Sequence, residues 1–469
     1  MSRFRVQPAE LLAVSILVSI AAFFRFFALP EKLVFQGDQG RALLAARDIL
    51  SGQLTLLGPE TSVSGFHLGP FFYYLIAPAL WLTNYDPIGP AVLIASFGVA
   101  TVLLLYFYGK RFFSWEAGFL TGLLFALSPH AIWQSRLALE PAPVPFFTVL
   151  WLYAMTSWVA SKNRQWLALS AFSIFLGVQL NFSFVALLPA TIWLLILSFP
   201  MKREWRRKLQ ILSLLTLLFF TALRVLWNPT TSWNFFLAIW TKLTLPASPV
   251  VAALLPSIFL LTFGWLLWQK GRLPKNENFL PIASWIVFCF AAFTLKTVSG
   301  EHALAVLFPA PAILAGIAWH LLQPQTVRAR YLVILALSGI ILLVTAQAWK
   351  YLQQKQSSFL SEYQEVTNHI LELADGKAYR FVYRGHLDIY EAADDHYQYL
   401  LWQAGKPPVV SYRREITPAT QDIWNNSSPE EFQTTIVLYQ PPFNFNEYTG
   451  FQEAQEWNGR WFAVEEKTP

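Results

Sequence analysis

Three short polar constellations interrupt an otherwise apolar chain, and each holds residue types that move protons or grip phosphate. The first is Gly37-Asp38-Gln39-Gly40-Arg41, a carboxylate and an amide between two glycines that would let a substrate approach closely. The second is Arg136-Leu-Ala-Leu-Glu140-Pro141, and the third is Gly300-Glu301-His302-Ala303-Leu304, running on to Pro309 and Pro311. A fourth stretch, Gly65-Phe-His67-Leu-Gly69-Pro70, adds another imidazole. Carboxylates accept protons and bind hard cations through oxygen, while guanidinium groups hold phosphates in a bidentate fork. Arg25 and Arg224 approach the ends of apolar runs, where an Arg either snorkels to water or meets a lipid-borne phosphate.

Each constellation also has a plain structural reading. Asp38 precedes apolar positions 43, 46 and 50, so 39–51 is expected to be an amphipathic helix lying along a membrane, with Asp38 as its cap. Arg136 and Glu140 are four apart, the spacing of an intrahelical ion pair. Exposed pairs of that kind are worth only about 0.3–0.5 kcal/mol, a weak reason to keep two charges beside a membrane helix. Glu301 fits a polar turn between helices. The argument for a site is convergence, since each of these residues comes from a different loop.

The elements that carry them are membrane helices. Of 469 residues, 55% are hydrophobic, 16% aromatic and 13% charged, about half the charge of an ordinary soluble domain. That excludes disorder, a coiled coil and a nucleic-acid-binding domain. The single Cys289, in an apolar run, excludes an intrachain disulfide and a Cys-based zinc site. The net charge of +6 conceals an asymmetry: residues 1–349 hold 24 of the 34 Lys and Arg but 11 of the 28 Asp and Glu, and the remaining 120 residues are net acidic.

A crossing helix needs about 20 apolar residues. Such stretches lie near 9–29, 87–108, 116–134, 142–160, 166–181, 183–199, 209–227, 249–268, 279–297, 304–322 and 330–348, giving eleven spans. The stretch 68–82, with Pro70 and Pro78, is expected to be interfacial or half-inserted, or else a twelfth span. With the N-terminus inside, sixteen Lys and Arg fall in or beside inner loops and six outside, which fixes the orientation. The constellations then share the outer face, in loops 30–86, 135–141, 228–248 and 298–303. The membrane domain is expected over 1–348, and a soluble extracytoplasmic α/β domain over 349–469. That tail pairs a helical stretch (359–374) with alternating runs at Tyr379–Tyr383 and Thr435–Tyr439.

Taken together, an early loop Asp, the His67-Leu-Gly-Pro70 segment with its aromatics, Arg136-x3-Glu140-Pro141 and the late His302…Pro309 resemble a family. The pattern is similar to the membrane glycosyltransferases of the C-type fold, such as the dolichyl-phosphate-mannose protein mannosyltransferases and lipid A aminoarabinose transferases. The resemblance covers most of 9–322 in layout and does not reach the tail. It implies Asp38 and Glu140 as the catalytic acids, with Asp38 the general base. It implies a polyprenyl-phosphate-linked sugar donor, whose phosphate Arg224, Arg136 and His302 would meet, and Gln39, Arg41, His67 and Glu301 as acceptor-side or positioning residues. It names no definite cofactor; Asp38 and Glu140 could share a divalent metal, and the metal requirement stays open. Gln39 and Ala303 depart from the family pattern and leave the acceptor open among protein, lipid and glycan. The expected home is the plasma membrane, with the N-terminus cytoplasmic. The rival reading is a transporter or lipid flippase, which would put its polar residues at midplane in duplicated halves; neither feature is present in the sequence.

Overall fold

The computed structural model describes residues 8–60, 67–198, 279–295, 305–322, 327–354, 359–385, 394–411, 432–440 and 454–466. Two of the expected spans, 209–227 and 249–268, lie outside the described residues, as do Arg224, Glu301 and His302. The chain forms two compact units, each assembled from separated stretches. One takes Met1–Phe27, Ile94–Ser135 and Glu140–Gln354; the other takes Ala28–Leu93, Arg136–Leu139 and Lys355–Pro469.

The first unit is helical. Helices α1 (Pro8–Phe26), α4 (Ile88–Phe112, entering this unit at Ile94) and α7 (Val144–Ser161) are long and apolar enough to cross a membrane. At 1.5 Å per residue they reach roughly 27–38 Å, against a hydrocarbon core of about 30 Å. The remaining expected spans that fall in described residues are also helical. They are α8 (Arg164–Leu180), α9 (Leu187–Ser198, after a 3₁₀ turn Phe182–Ala186), α10 (Phe279–Leu295), α11 (Ala310–Leu322) and α12 (Val327–Gln353).

One expected span is corrected. Residues 116–134 are not one helix but two, α5 (Trp115–Leu127) and α6 (Pro129–Ser135), with Ser128 extended between them. Pro129 explains the break, because the residue before a proline is driven out of the helical region. Helix α5 is central, packing against α1, α11 and α12. Phe24, Leu127, Ile132, Ala348 and Leu352 close a core where α1, α5, α6 and α12 meet.

The second unit joins the first long loop to the C-terminal stretch. The loop supplies α2 (Gly37–Leu50) and α3 (Phe71–Leu82). Twelve residues make α3 about 18 Å long, shorter than the hydrocarbon core of about 30 Å. The C-terminal stretch is α/β, as its alternating runs predict: α13 (Leu360–Ala374), β1 (Tyr379–Gly385), α14 (Asp395–Gln403), β2 (Val410–Ser411), β3 (Thr434–Gln440), β4 (Gln455–Trp457) and β5 (Arg460–Glu466). The sheet order is β2-β1-β3-β5-β4. Strand β1 pairs parallel with both β2 and β3, so β1-α14-β2 is a βαβ unit, while β5 runs antiparallel to β3 and β4. Asn458 and Gly459, both at positive φ, turn the β4–β5 hairpin.

Candidate functional site

Helix α2 begins one residue before Asp38. Gln36 stands at its cap position, and its N–H donates to Oε1 of Gln39 at 3.0 Å, closing the first turn. The capping role expected of Asp38 is therefore filled by another residue. Asp38 sits in the first turn, where the helix dipole favours a negative charge, and Nη2 of Arg41 donates to its Oδ1 at 2.9 Å. The Asp38 side chain is 56% exposed. Every other residue of α2 is buried or half-buried. One carboxylate thus projects from a helix that is otherwise covered.

That covering corrects two expectations. An amphipathic helix lying along a membrane would leave one face open, whereas α2 packs against both α3 and α14. Gly40 was expected to let a substrate approach. Instead it lets a backbone approach: a Cβ added there would meet the carbonyl carbon and oxygen of Asp395 at 2.5 Å. Gln39 is buried, and its oxygen is committed to the helix cap.

Arg136 and Glu140 do not share a helix face. Helix α6 ends at Ser135, and both residues fall in the following turns. Arg136 is buried in the second unit, donating from Nη2 to the carbonyl of Ala28 at 3.4 Å. Glu140 is buried in the first unit, where Nε2 of Gln134 donates to the neighbouring Pro141 carbonyl at 2.7 Å. His67 is half-buried, its Nδ1 3.1 Å from the Gly58 carbonyl, on a short antiparallel bridge between Glu60 and His67 that leads into α3. Arg25 does not snorkel. It is fully buried and donates to the carbonyls of Ala126 at 3.2 Å and Phe125 at 3.5 Å. Both carbonyls lie in the last turn of α5, where that of Phe125 also accepts the cap N–H of Ser128 at 3.4 Å, so the guanidinium adds donors at a broken helix end. Among the described residues no three His, Cys, Asp or Glu side chains cluster as a metal site.

Two polar groups escaped the reading of the sequence. Within α2, Arg47 donates through Nε (2.9 Å) and Nη2 (2.5 Å) to Oδ1 of Asp48, both side chains buried, while its guanidinium lies 4.7 Å from the Trp402 ring centroid. In α14, the run Asp394-Asp395-His396-Tyr397-Gln398-Tyr399 is buried throughout. His396 sits among Tyr363, Tyr397 and Phe35, and among the described residues neither ring nitrogen has a hydrogen-bond partner. Burial, aided by the Arg460 charge, pushes its imidazole down to about 3. The signal available in the sequence was six consecutive polar or aromatic residues, 394–399, with no apolar face of their own.

No family model and no curated protein matches the sequence. Solved structures do resemble the fold. ArnT from Cupriavidus metallidurans bound to undecaprenyl phosphate aligns at a TM-score of 0.56 and 15% identity, covering 96% of this chain and 97% of that one. The Archaeoglobus fulgidus oligosaccharyltransferase in complex with zinc and sulfate aligns at 0.52 and 13%, covering 91% and 67%. The same archaeon's AglB, in complex with an inhibitory peptide and a dolichol-phosphate, aligns at 0.50 and 11%, covering 92% and 69%.

Proposed function

We propose that this chain, which has the C-type glycosyltransferase fold, is an integral membrane glycosyltransferase. It moves a sugar from a polyprenyl-phosphate donor to an acceptor hydroxyl at the extracytoplasmic face of the plasma membrane. The observation that carries the mechanism is the lone exposed carboxylate of α2: Asp38 is the one side chain its otherwise covered helix offers to a substrate.

Asp38 takes the proton from the acceptor hydroxyl as its oxygen attacks C1 of the sugar. The C1–O bond to phosphate breaks on the opposite side, and the polyprenyl phosphate leaves with the electron pair. A single displacement of this kind inverts the anomeric centre. General-base help is worth about 10²–10⁴-fold. Arg41, already paired with Asp38, holds the carboxylate in place. Glu140, the second carboxylate of the scheme, orients the acceptor. Cations must meet the departing phosphate, and Arg136, Arg224 and His302 are assigned that task. His67 and Glu301 belong to the acceptor side. The lipid phosphates bound by ArnT and AglB support a donor of this class.

The experiment is direct. Membranes containing the protein are incubated with radiolabelled undecaprenyl-phosphate mannose, glucose, arabinose and aminoarabinose, and label is followed from lipid into protein, glycan and acceptor-lipid fractions. Transfer of one of these sugars is the expected result. Retention of every label in the donor, under conditions where an established transferase of this fold is active, contradicts the proposal.

A further inference from the structure

Helix α2 is gripped on the side away from Asp38. Successive residues of a helix are 100° apart, so Gly40 lies about 200° from Asp38, and Arg47, seven residues further on, returns to the Gly40 stripe. Both ends of that stripe meet α14. At the first end, the missing Cβ of Gly40 admits the backbone of Asp395 and His396. At the other, the Arg47 guanidinium lies over the Trp402 ring. Six or seven residues separate the contacts on each helix, so α2 and α14 run side by side in the same direction.

The segments flanking α2 are fastened to the same stretch of chain. Ahead of it, the Leu33 carbonyl accepts the Leu360 N–H at 2.7 Å, Val34 bridges Phe359, and Phe35 meets His396 and Tyr399 edge-on. After α3, the Tyr85 carbonyl accepts the Tyr399 hydroxyl at 2.5 Å and Nε2 of Gln403 at 3.1 Å, with the Tyr85 ring edge-on to Trp402. All of these lie within one compact unit. The C-terminal stretch is therefore built into the loop that carries the carboxylate.

We infer that α14 is a positioning element for the transfer reaction: its backbone at Asp395–His396 and its Trp402 ring set the rotation and depth of α2, and so the place from which Asp38 reaches the acceptor. The inference rests on Asp38 being the base. Trp402 and Gly40 touch no substrate in this scheme, so disturbing them should slow the chemical step and leave donor affinity alone. That separates positioning from a merely structural role, which would change the amount of folded enzyme, and from a binding role, which would change KM.

The test uses the full chain in membranes, with the labelled sugar lipid selected above and transfer normalised to folded protein. Gly40→Ala, whose added methyl must part the two helices, should lower kcat at least tenfold with donor KM held within twofold. Trp402→Ala should act in the same direction, and Trp402→Phe, which keeps a ring beneath Arg47, should restore most of the rate. If Gly40→Ala yields no folded protein, the two Trp402 variants decide. Wild-type kcat in Trp402→Ala overturns the inference, as does a rise in KM at unchanged kcat. Asp38→Asn is run in parallel. An active Asp38→Asn removes the base reading itself, whereas an inactive Asp38→Asn beside fully active Gly40 and Trp402 variants removes only the positioning role.

Discussion

Nη1 of Arg25, in α1, donates to the carbonyl of Ala126, at the end of α5, across 3.2 Å. A wholly buried guanidinium thus supplies donors where Pro129 has ended a helix inside the membrane domain. Gly98 of α4 makes the room, since a Cβ there would meet Nε of Arg25 at 2.5 Å and Cβ of Ser135 at 2.6 Å.

Arg25→Leu is accordingly expected to destabilise the membrane domain. A buried carbonyl that loses its donor costs about 1–3 kcal/mol, and of the two the Phe125 carbonyl keeps a second donor, the Ser128 N–H. Gly98→Val should cost a similar amount through overpacking, about 1–3 kcal/mol. Thermal unfolding in detergent, followed by the loss of monodisperse protein, measures both. Unchanged midpoints in the two variants would show that the break between α5 and α6 does not need this support.

Acid should loosen the second unit through His396. Its imidazole is lowered from 6.5 to about 3 by burial, so between those values the unfolded chain binds a proton that the folded chain does not. Stability is then complete above about pH 6.5 and is lost as pH falls toward 3, at about 1.4 kcal/mol for each unit of that interval. His396→Phe keeps a ring among Tyr363, Tyr397 and Phe35 but cannot titrate. Its acid limb should be flatter than that of the parent in tyrosine-fluorescence unfolding curves taken from pH 7 to pH 4. Superimposable acid limbs would refute the assignment.

Orientation can be checked with single cysteines, because the native Cys289 is buried. Glu456 and Arg164 are exposed. A maleimide that cannot cross membranes should label Glu456→Cys in intact cells and Arg164→Cys only after permeabilisation. The opposite pattern would invert the proposed topology and move the acceptor to the cytoplasmic side.

The helical body was legible in the sequence because bilayer crossing imposes a length and a composition that few other structures share. Two of the five described C-terminal strands, β1 and β3, were legible from their alternation. The split of 116–134 was signalled by Pro129 but hidden by unbroken hydrophobicity on either side. Asp38 stood out as a charge near a membrane helix. Its setting did not, because Gly40, Arg47 and Trp402 acquire their roles from contacts more than 340 residues apart in the chain. The Arg136–Glu140 spacing suggested a helical pair, yet spacing implies a shared face only where the helix continues, and here it stops at Ser135. Buried polar runs such as 394–399 are hard to read from one sequence, since nothing local says that aromatic neighbours from the first loop will cover them.

The most direct test of the account is the rate of sugar transfer in Asp38→Asn. The amide keeps the size of the side chain but cannot take a proton. The protein should insert and bind the sugar lipid as the parent does, while transfer falls by at least 100-fold, within the range of general-base catalysis. Transfer at the parental rate would contradict the assignment of Asp38 as the base.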